Sequence, residues 1–159
     1  MNVKTEWGIV GMGVMGTALS RNFARNGIKI TLFNRRIKKL EEEVALKKTQ
    51  LYSELANAQA FEELDQFVFA LKAPRKILLM LPAGDPTEDL LEQLGPLLSK
   101  GDIVIDAGNS HYQQTEKRSK SFMKKEILFL GIGVSGGEEG ALKGPSLMVG
   151  GNKEAYEIV

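Results

Sequence analysis

Six residues near the start of the sequence have the spacing of a turn that binds phosphate. They follow the pattern G-x-G-x-x-G and are Gly11, Met12, Gly13, Val14, Met15 and Gly16. In such a turn Gly11 allows the sharp bend, Gly13 lets a pyrophosphate approach the backbone, and Gly16 lets the next helix pack closely. The start of that helix then offers free N–H groups to the phosphates. A plain glycine-rich turn is the alternative, but the position between a predicted strand and a predicted helix favours dinucleotide binding.

The residues that end the second predicted strand indicate which dinucleotide would bind. NAD-binding domains usually carry Asp or Glu at this place, where it accepts hydrogen bonds from ribose hydroxyls. This sequence has Asn34, Arg35 and Arg36. A carboxylate would repel a 2′-phosphate, whereas a guanidinium can bind it with two hydrogen bonds. The sequence therefore favours NADP, against the alternative that the two arginines begin a solvated helix face.

Three further segments follow predicted strands, at the edge of an α/β sheet where ligands bind. They contain Leu81, Pro82 and Ala83; Gly108, Asn109 and Ser110; and Ser135, Gly136 and Gly137. Asn109 can donate and accept hydrogen bonds at once, which suits a hydroxylated substrate or a carboxamide. Ser135 and the two glycines after it offer a hydroxyl and unobstructed N–H groups, which suit an anion or a carboxylate. The alternative for each segment is a turn that satisfies its own backbone.

Composition argues against several other kinds of site. The 159 residues include no cysteine and a single histidine, His111, so zinc ligands are lacking and we expect no metal. Residues 133–137 also fit the nucleophile turn of α/β-hydrolases, but the histidine of such an enzyme would have to follow Ser135, and His111 precedes it. A net charge of +1 gives no reason to expect nucleic acid or a membrane surface as a partner. The absence of cysteine, of a signal peptide and of a long apolar run leads us to expect a cytoplasmic protein.

Strands and helices alternate along the predicted chain, and this alternation must position the segments above. Strands are predicted at 6–11, 28–33, 50–52, 76–81, 103–106, 127–130 and 146–149, and helices at 14–26, 35–48, 61–71, 89–99 and 113–125, with one more beginning at Asn152. Repeated βαβ units form a mostly parallel sheet with helices on both faces. We therefore predict an α/β fold, a doubly wound sheet of Rossmann type, in a single domain over residues 1–159.

Taken together, the motifs resemble one family, the decarboxylating 6-phosphogluconate dehydrogenases. The likeness runs along nearly the whole sequence, through GMGVMG with Asn22 after it, FNRR, APRKILLMLPAG, GDIVIDAGNSHY and GVSGGEEGALKGPSLMVGG. The combination of DAGNS with VSGGEEGA is far more specific than the glycine pattern. The related β-hydroxyacid dehydrogenases share the first turn and a Ser-Gly-Gly segment but usually lack the other pieces.

The resemblance implies a reaction and a role for each matched segment. The family oxidises 6-phosphogluconate at C3 with NADP, and the keto acid then loses CO₂ and becomes ribulose 5-phosphate, a step of the pentose phosphate pathway. By position, residues 11–16 would hold the pyrophosphate, residues 34–36 would surround the 2′-phosphate, and residues 81–83 would line the ribose and nicotinamide. Asn109 would contact both cofactor and substrate, and residues 135–137 would bind the sugar acid.

The sequence departs from the family pattern in three places and stops before another part of it. Arg36 stands where the family usually has Thr or Ser, Pro82 where Lys or Gln is frequent, and Ala107 where Gly is usual. Because proline has no N–H, a donor to the cofactor would be lost at Pro82. The family's catalytic Lys and Glu and its phosphate-binding arginines lie on a downstream helical domain, through which the family dimerises. The resemblance therefore implies a chain truncated before that domain, with no catalytic residue of its own, that binds cofactor without turnover; the full-length protein would be a homodimer.

Two other functions stay open on the sequence alone. The chain could be the NADP-binding domain of a related β-hydroxyacid dehydrogenase. It could also be a noncatalytic module that senses redox state through NADP and engages a partner. The sequence beyond Val159 would distinguish them, because the first would lack the phosphate-binding arginines and the second the helix with the catalytic lysine.

Overall fold

The computed structural model describes residues 3–159, and within them seven strands form one sheet. The strands are β1 (Thr5–Val10), β2 (Ile30–Phe33), β3 (Gln59–Phe61), β4 (Leu71–Leu79), β5 (Ile103–Asp106), β6 (Leu128–Ser135) and β7 (Ser146–Gly151). Their order across the sheet is β3-β2-β1-β4-β5-β6-β7. All neighbouring pairs are parallel except β6 and β7, which are antiparallel. The doubly wound, mostly parallel α/β sheet is therefore confirmed.

Helices cover both faces of this sheet, and each face has its own apolar core. The helices are α1 (Val14–Arg25), α2 (Val44–Leu51), α3 (Leu64–Phe69), α4 (Asp85–Leu94), α5 (Tyr112–Met123), α6 (Gly137–Lys143) and α7 (Lys153–Ile158). Successive strand residues point to opposite faces, so Ile103 and Ile105 of β5 pack beneath α1 and α6, and Val104 packs beneath α4 and α5. Because the strand order reverses between β1 and β4, a crevice opens outside their carboxyl ends.

Several predicted elements match the structure closely. The strand predicted at 103–106 has those bounds in β5. Gly27 follows the end of α1 with φ of 77°, as expected of a residue that ends a helix in the left-handed conformation. Asn152 caps α7, because its Oδ1 accepts a hydrogen bond of 2.9 Å from the backbone N–H of Ala155. No helix within residues 3–159 is long and apolar enough to cross a membrane.

Two predictions between β2 and α3 are wrong. Residues 35–43 are not helical, because Lys39 and Glu43 have φ of 66° and 54°, which interrupts a right-handed helix. Residues 50 and 51 end α2 instead of forming the third strand, which lies at Gln59–Phe61 and pairs with β2. The second helix and the third strand therefore both lie later in the sequence than predicted, and Arg35 and Arg36 lie in a loop.

Other elements also differ from their predicted bounds. Helix α3 covers Leu64–Phe69 instead of 61–71, and α4 covers Asp85–Leu94 instead of 89–99. β4 begins at Leu71 and passes through Pro74, which the ladder tolerates because the register with β1 shifts between Thr5 and Trp7. β6 extends to Ser135 and is followed directly by α6, where a glycine-rich loop was expected. Glycines at 131 and 133 thus belong to a strand.

Candidate functional site

The glycine turn between β1 and α1 is fixed by its contacts with neighbouring backbone. Gly11 has φ of 92°, and its N–H donates a hydrogen bond of 2.9 Å to the carbonyl oxygen of Phe33. A Cβ on Gly11 would overlap the carbonyl oxygen of Met80, and a Cβ on Gly16 would overlap the carbonyl oxygen of Gly11. This turn therefore requires glycine for conformation at residue 11 and for close helix packing at residue 16.

The outer side of the same turn is open. A Cβ on Gly13 would meet no atom within 4 Å, and Val14 is 63% exposed. Gly13 is the N-cap of α1 and has no side chain with which to cap it, so the first N–H groups of the helix, from Val14 and Met15 onward, face this space. Free N–H groups and the positive end of the helix dipole are suited to bind an anion.

Met12 and Asn34 connect the glycine turn to the end of β2. The backbone N–H of Met12 donates a hydrogen bond of 2.9 Å to Oδ1 of Asn34, and both residues are buried. The thioether side chain of Met12 lies in the core beneath α1. Because its N–H is already bonded and its side chain is buried, Met12 holds the turn in place and presents no donor to a ligand.

Asn34 also organises the loop that follows it. Its Nδ2 donates hydrogen bonds of 3.0 Å to the carbonyl oxygen of Arg35 and to Oε2 of Glu41. The other oxygen of Glu41 lies 3.5 Å from Nη2 of Arg35, and Arg36 pairs with Glu42 at 3.3 Å. The side chains of Arg35 and Arg36 are 58% and 57% exposed. Both guanidinium groups thus lie at the surface, and Arg35 lines the cleft at the turn whereas Arg36 does not.

The turn and this loop meet at one cleft of about 210 Å³ outside the carboxyl ends of β1 and β4. Leu81 and Pro82 form the opposite wall, whereas Ala83 is exposed and does not line it. The carbonyl oxygen of Pro82 accepts a hydrogen bond of 2.8 Å from the hydroxyl of Thr87, which fixes the start of α4. The lining residues are Val10, Gly11, Gly13, Phe33, Asn34, Arg35, Glu41, Met80, Leu81, Pro82, Pro86 and Leu90.

A buried ion-pair network lies beneath the loop that contains Asn109. Nη1 of Arg118 lies 2.7 Å from Oδ2 of Asp106 and 2.7 Å from the hydroxyl of Ser110, and its other nitrogens contact Glu88 at 2.7 and 3.0 Å. Arg118 and Asp106 are 4% and 2% exposed. The network holds the residues on both sides of Asn109, whose own side chain points to the surface.

Sequence reasoning missed both Glu41 and Arg118. Arg118 lies four residues before Phe122, which is buried, so the two share a helix face. That spacing was the available signal that Arg118 points toward the sheet. Glu41 had no comparable signal, because the predicted helix over 35–48 placed it on a regular solvated face.

Asn109 lines a second cavity, which is separate from the cleft at the glycine turn. This cavity has about 630 Å³ and lies between α5 and the antiparallel strands β6 and β7. A Cβ on Gly108 would meet the carbonyl oxygen of Leu81, so the Asn109 loop packs directly on the wall of the first cleft. Asn109 therefore lines the second cavity but not the first cleft, and its neighbour Gly108 packs on the wall of that cleft.

Ser135, Gly136 and Gly137 lie at the same edge of the sheet but line neither cavity. Ser135 ends β6, and Gly136 and Gly137 have φ of 114° and 60° before α6. All three are exposed. Helix α6 packs on α1, where Nδ2 of Asn22 donates a hydrogen bond of 3.1 Å to the carbonyl oxygen of Leu142.

His111 is placed as the sequence suggested, at the surface rather than in a nucleophile site. It precedes α5 and caps it, because its Nδ1 accepts a hydrogen bond of 3.4 Å from the N–H of Gln113. Its ring lies against Tyr112, with 4.7 Å between centroids.

A phosphate-binding turn at the reversal of a doubly wound sheet defines a class of protein, the dinucleotide-binding domains of Rossmann type. The model of the NAD binding domain of 6-phosphogluconate dehydrogenase matches residues 6–159 of this chain. The chain belongs to that family.

Named relatives and a solved structure agree with this assignment. The chain is 45% identical over 152 residues to 6-phosphogluconate dehydrogenase, decarboxylating, of Chlamydia muridarum, covering 96% of this chain and 31% of the relative. It is 44% identical over 156 residues to the NADP(+)-dependent decarboxylating enzyme of Bacillus subtilis, covering 98% and 32%. A structure of Plasmodium falciparum 6-phosphogluconate dehydrogenase, described in apo form and in complexes with its cofactor NADP+ and its substrate 6-phosphogluconate, superposes with a TM-score of 0.86 at 35% identity, covering 96% and 32%. The chain thus spans about a third of the length of these relatives.

Proposed function

We propose that this chain binds NADP across the 210 Å³ cleft and the open surface over Gly13, as the cofactor domain of an enzyme that oxidises and decarboxylates 6-phosphogluconate to ribulose 5-phosphate. The observation that carries the proposal is the cleft itself, in which the glycine turn meets Asn34 and Arg35. A carboxylate at residue 34 would favour NAD, and this chain has an amide there with a guanidinium beside it.

The fit to a dinucleotide rests on the residues of the cleft. In our proposal the N–H groups at the start of α1 bind the pyrophosphate over Gly13, where no atom of the chain stands within 4 Å of a Cβ position. Arg35 and Arg36 bind the 2′-phosphate, since their exposed guanidinium groups can each donate two parallel hydrogen bonds. Leu81 and Pro82 line the ribose and nicotinamide from the opposite wall.

The remaining matched residues are assigned to the substrate. In this proposal bound NADP supplies the hydride acceptor for oxidation at C3. Asn109 contacts cofactor and substrate, since it lines the second cavity and adjoins Gly108, which packs on Leu81 in the wall of the first cleft. Ser135, Gly136 and Gly137 bind the sugar acid from the end of β6. The acid–base residues come from outside residues 1–159, as the family resemblance implies.

Titration of this chain with NADP and with NAD tests the cofactor assignment. We expect NADP to bind at least tenfold more tightly, and Arg35→Gln to remove most of that difference by weakening NADP alone, because the 2′-phosphate is the group that differs. Arg25→Gln is the matched control, since Arg25 pairs with Glu54 away from the cleft. Equal affinity for the two dinucleotides, or preference for NAD, would contradict the proposal.

The substrate assignment needs an activity measurement. Formation of NADPH from 6-phosphogluconate is expected for the longer protein that contains this sequence and not for the 159-residue chain. Turnover by this chain alone would show that its acid–base groups lie within residues 1–159. We further propose that the longer protein is a cytoplasmic homodimer, for which the family resemblance and the absence of cysteine are the support.

A further inference from the structure

Glu41 is an acidic residue in the wall of the cleft where we propose that a 2′-phosphate binds. It lines the cleft together with Arg35 and Asn34. One carboxylate oxygen accepts a hydrogen bond of 3.0 Å from Nδ2 of Asn34, and the other lies 3.5 Å from Nη2 of Arg35. The side chain is 38% exposed, so its charge faces the cleft and solvent rather than the core.

The backbone of the loop places Glu41 in this position. Ile37 and Glu41 form an isolated antiparallel bridge, with hydrogen bonds of 2.7 Å from the N–H of each residue to the carbonyl oxygen of the other. This tight turn returns the chain to the cleft directly after Arg35 and Arg36. A helix over these residues would instead have carried Glu41 away along a solvated face.

An anion in this place acts on the two dinucleotides differently. A 2′-phosphate that approached Arg35 would meet a carboxylate already beside the guanidinium, and like charges at this range repel. The ribose 2′-hydroxyl of NAD carries no charge, so the carboxylate of Glu41 does not repel it. The effect is thus confined to the group by which the two dinucleotides differ.

We propose that Glu41 is a specificity-determining residue of the cofactor site, whose carboxylate holds the NADP affinity below the value that Arg35 and Arg36 would otherwise provide. The inference rests on the proposed binding of NADP in this cleft. In this proposal Glu41 weakens the binding of NADP, whereas the two arginines strengthen it.

Glu41→Gln tests the inference, because glutamine keeps an oxygen that can accept from Nδ2 of Asn34 and loses only the charge. We expect the Kd for NADP to fall about threefold to tenfold at low ionic strength, and the Kd for NAD to change less than twofold. The same gain is expected for 2′,5′-ADP over 5′-ADP, which isolates the 2′-phosphate. The gain shrinks as salt is raised, since the charges are solvent-exposed.

Glu126→Gln is the control for the loss of one negative charge, because Glu126 pairs with Lys100 at the surface and lines neither cavity. It is expected to leave both dinucleotide affinities unchanged. Unfolding curves of the variants establish that the compared chains are folded.

Two results separate the inference from the proposed function. If the unaltered chain shows no preference for NADP, the proposed function is wrong, and the inference is wrong with it when Glu41→Gln also fails to bind NADP more tightly. If the unaltered chain prefers NADP but Glu41→Gln binds it no more tightly, or more weakly, only the inference is wrong, and Glu41 then serves to orient Asn34 and Arg35.

Discussion

The glycine turn after β1 and the segments after β5 and β6 lie at the same edge of the sheet, but they are built in different ways. At the turn, the proposed binding surface is the backbone itself, and its shape is imposed by neighbouring carbonyl groups around Gly11 and Gly16. After β5 and β6 the candidate groups are the side chains of Asn109 and Ser135, which are exposed. The first region is shaped by packing of backbone on backbone, and the second presents side chains at the surface.

The two regions obtain their rigidity in different ways. The turn is held by close packing of backbone on backbone, which allows little movement, and by the hydrogen bond from Met12 to Asn34. The Asn109 loop depends instead on the buried guanidinium of Arg118, which binds Asp106 and Ser110 on either side of it. Packing and a buried ion pair respond to different changes, so mutations can separate the two regions.

The largest effect is expected from Gly16→Ala. The new Cβ would overlap the carbonyl oxygen of Gly11, which is itself fixed by the turn. We expect the free energy of unfolding to fall by about 3 kcal/mol or more and dinucleotide binding to be lost. Urea denaturation and calorimetric titration measure the two quantities. A loss of stability below about 1 kcal/mol would show that α1 can move away from the turn, and that the packing of Gly16 on Gly11 is not rigid.

The corresponding change in the other region is Arg118→Met. It removes the guanidinium and leaves the carboxylate of Asp106, which is 2% exposed, without its partner. We expect a loss of about 3 kcal/mol in the free energy of unfolding, because an unpaired buried charge is costly. Lys120→Met is the control, since Lys120 lies on the same helix and its side chain is 71% exposed. Equal stability of the two variants in denaturant would mean that the network does not support the loop.

Gly13→Ala should separate binding from stability at the glycine turn. A Cβ at this position meets no atom of the chain, so the free energy of unfolding should change by about 1 kcal/mol or less. The same Cβ would stand where we propose that the pyrophosphate lies, and we expect the Kd for NADP to rise about tenfold or more. If the Kd were unchanged, the phosphates would have to bind elsewhere, and the turn would be structural only.

The smallest expected effect is a pH dependence of stability that comes from Glu54, which pairs with Arg21 and Arg25 of α1. A hydrogen bond from its own backbone amide, followed by bonds from Arg21 and Arg25, lowers the pKa of Glu54 from 4.5 to about 2. Because the folded pKa is depressed, this stabilisation is complete above about pH 4.5 and is lost as the pH falls toward 2. The side chain is partly exposed, so the contribution is about 1 kcal/mol or less.

Comparison with Glu54→Gln isolates that contribution. The difference in the free energy of unfolding between the two chains should be constant above about pH 4.5 and shrink below it. A difference that stays constant down to pH 3 would contradict the lowered pKa. Neither candidate region should respond, because Glu54 lines neither cavity.

Prediction from sequence succeeded where a pattern acts over a few neighbouring residues. β5 is a short apolar run ended by Gly108, and its bounds were predicted correctly. β3 has no such pattern, since its residues are only half-buried, and it exists because the edge of β2 pairs with it from Thr31 to Phe33. The loop after Arg36 was predicted as a helix because positive φ values at non-glycine residues leave little trace in a sequence.

The fold class, the glycine turn and the amide with two arginines after β2 could all be predicted from the sequence. These features depend on backbone conformation and residue type within one turn or strand and the elements beside it. The tertiary structure was needed to show which charges face one another: Glu41 at Arg35, and Arg118 beneath Asn109. It also decided that Ser135 lies outside both cavities. Such relations join residues from separate elements, and packing rather than local pattern brings them together.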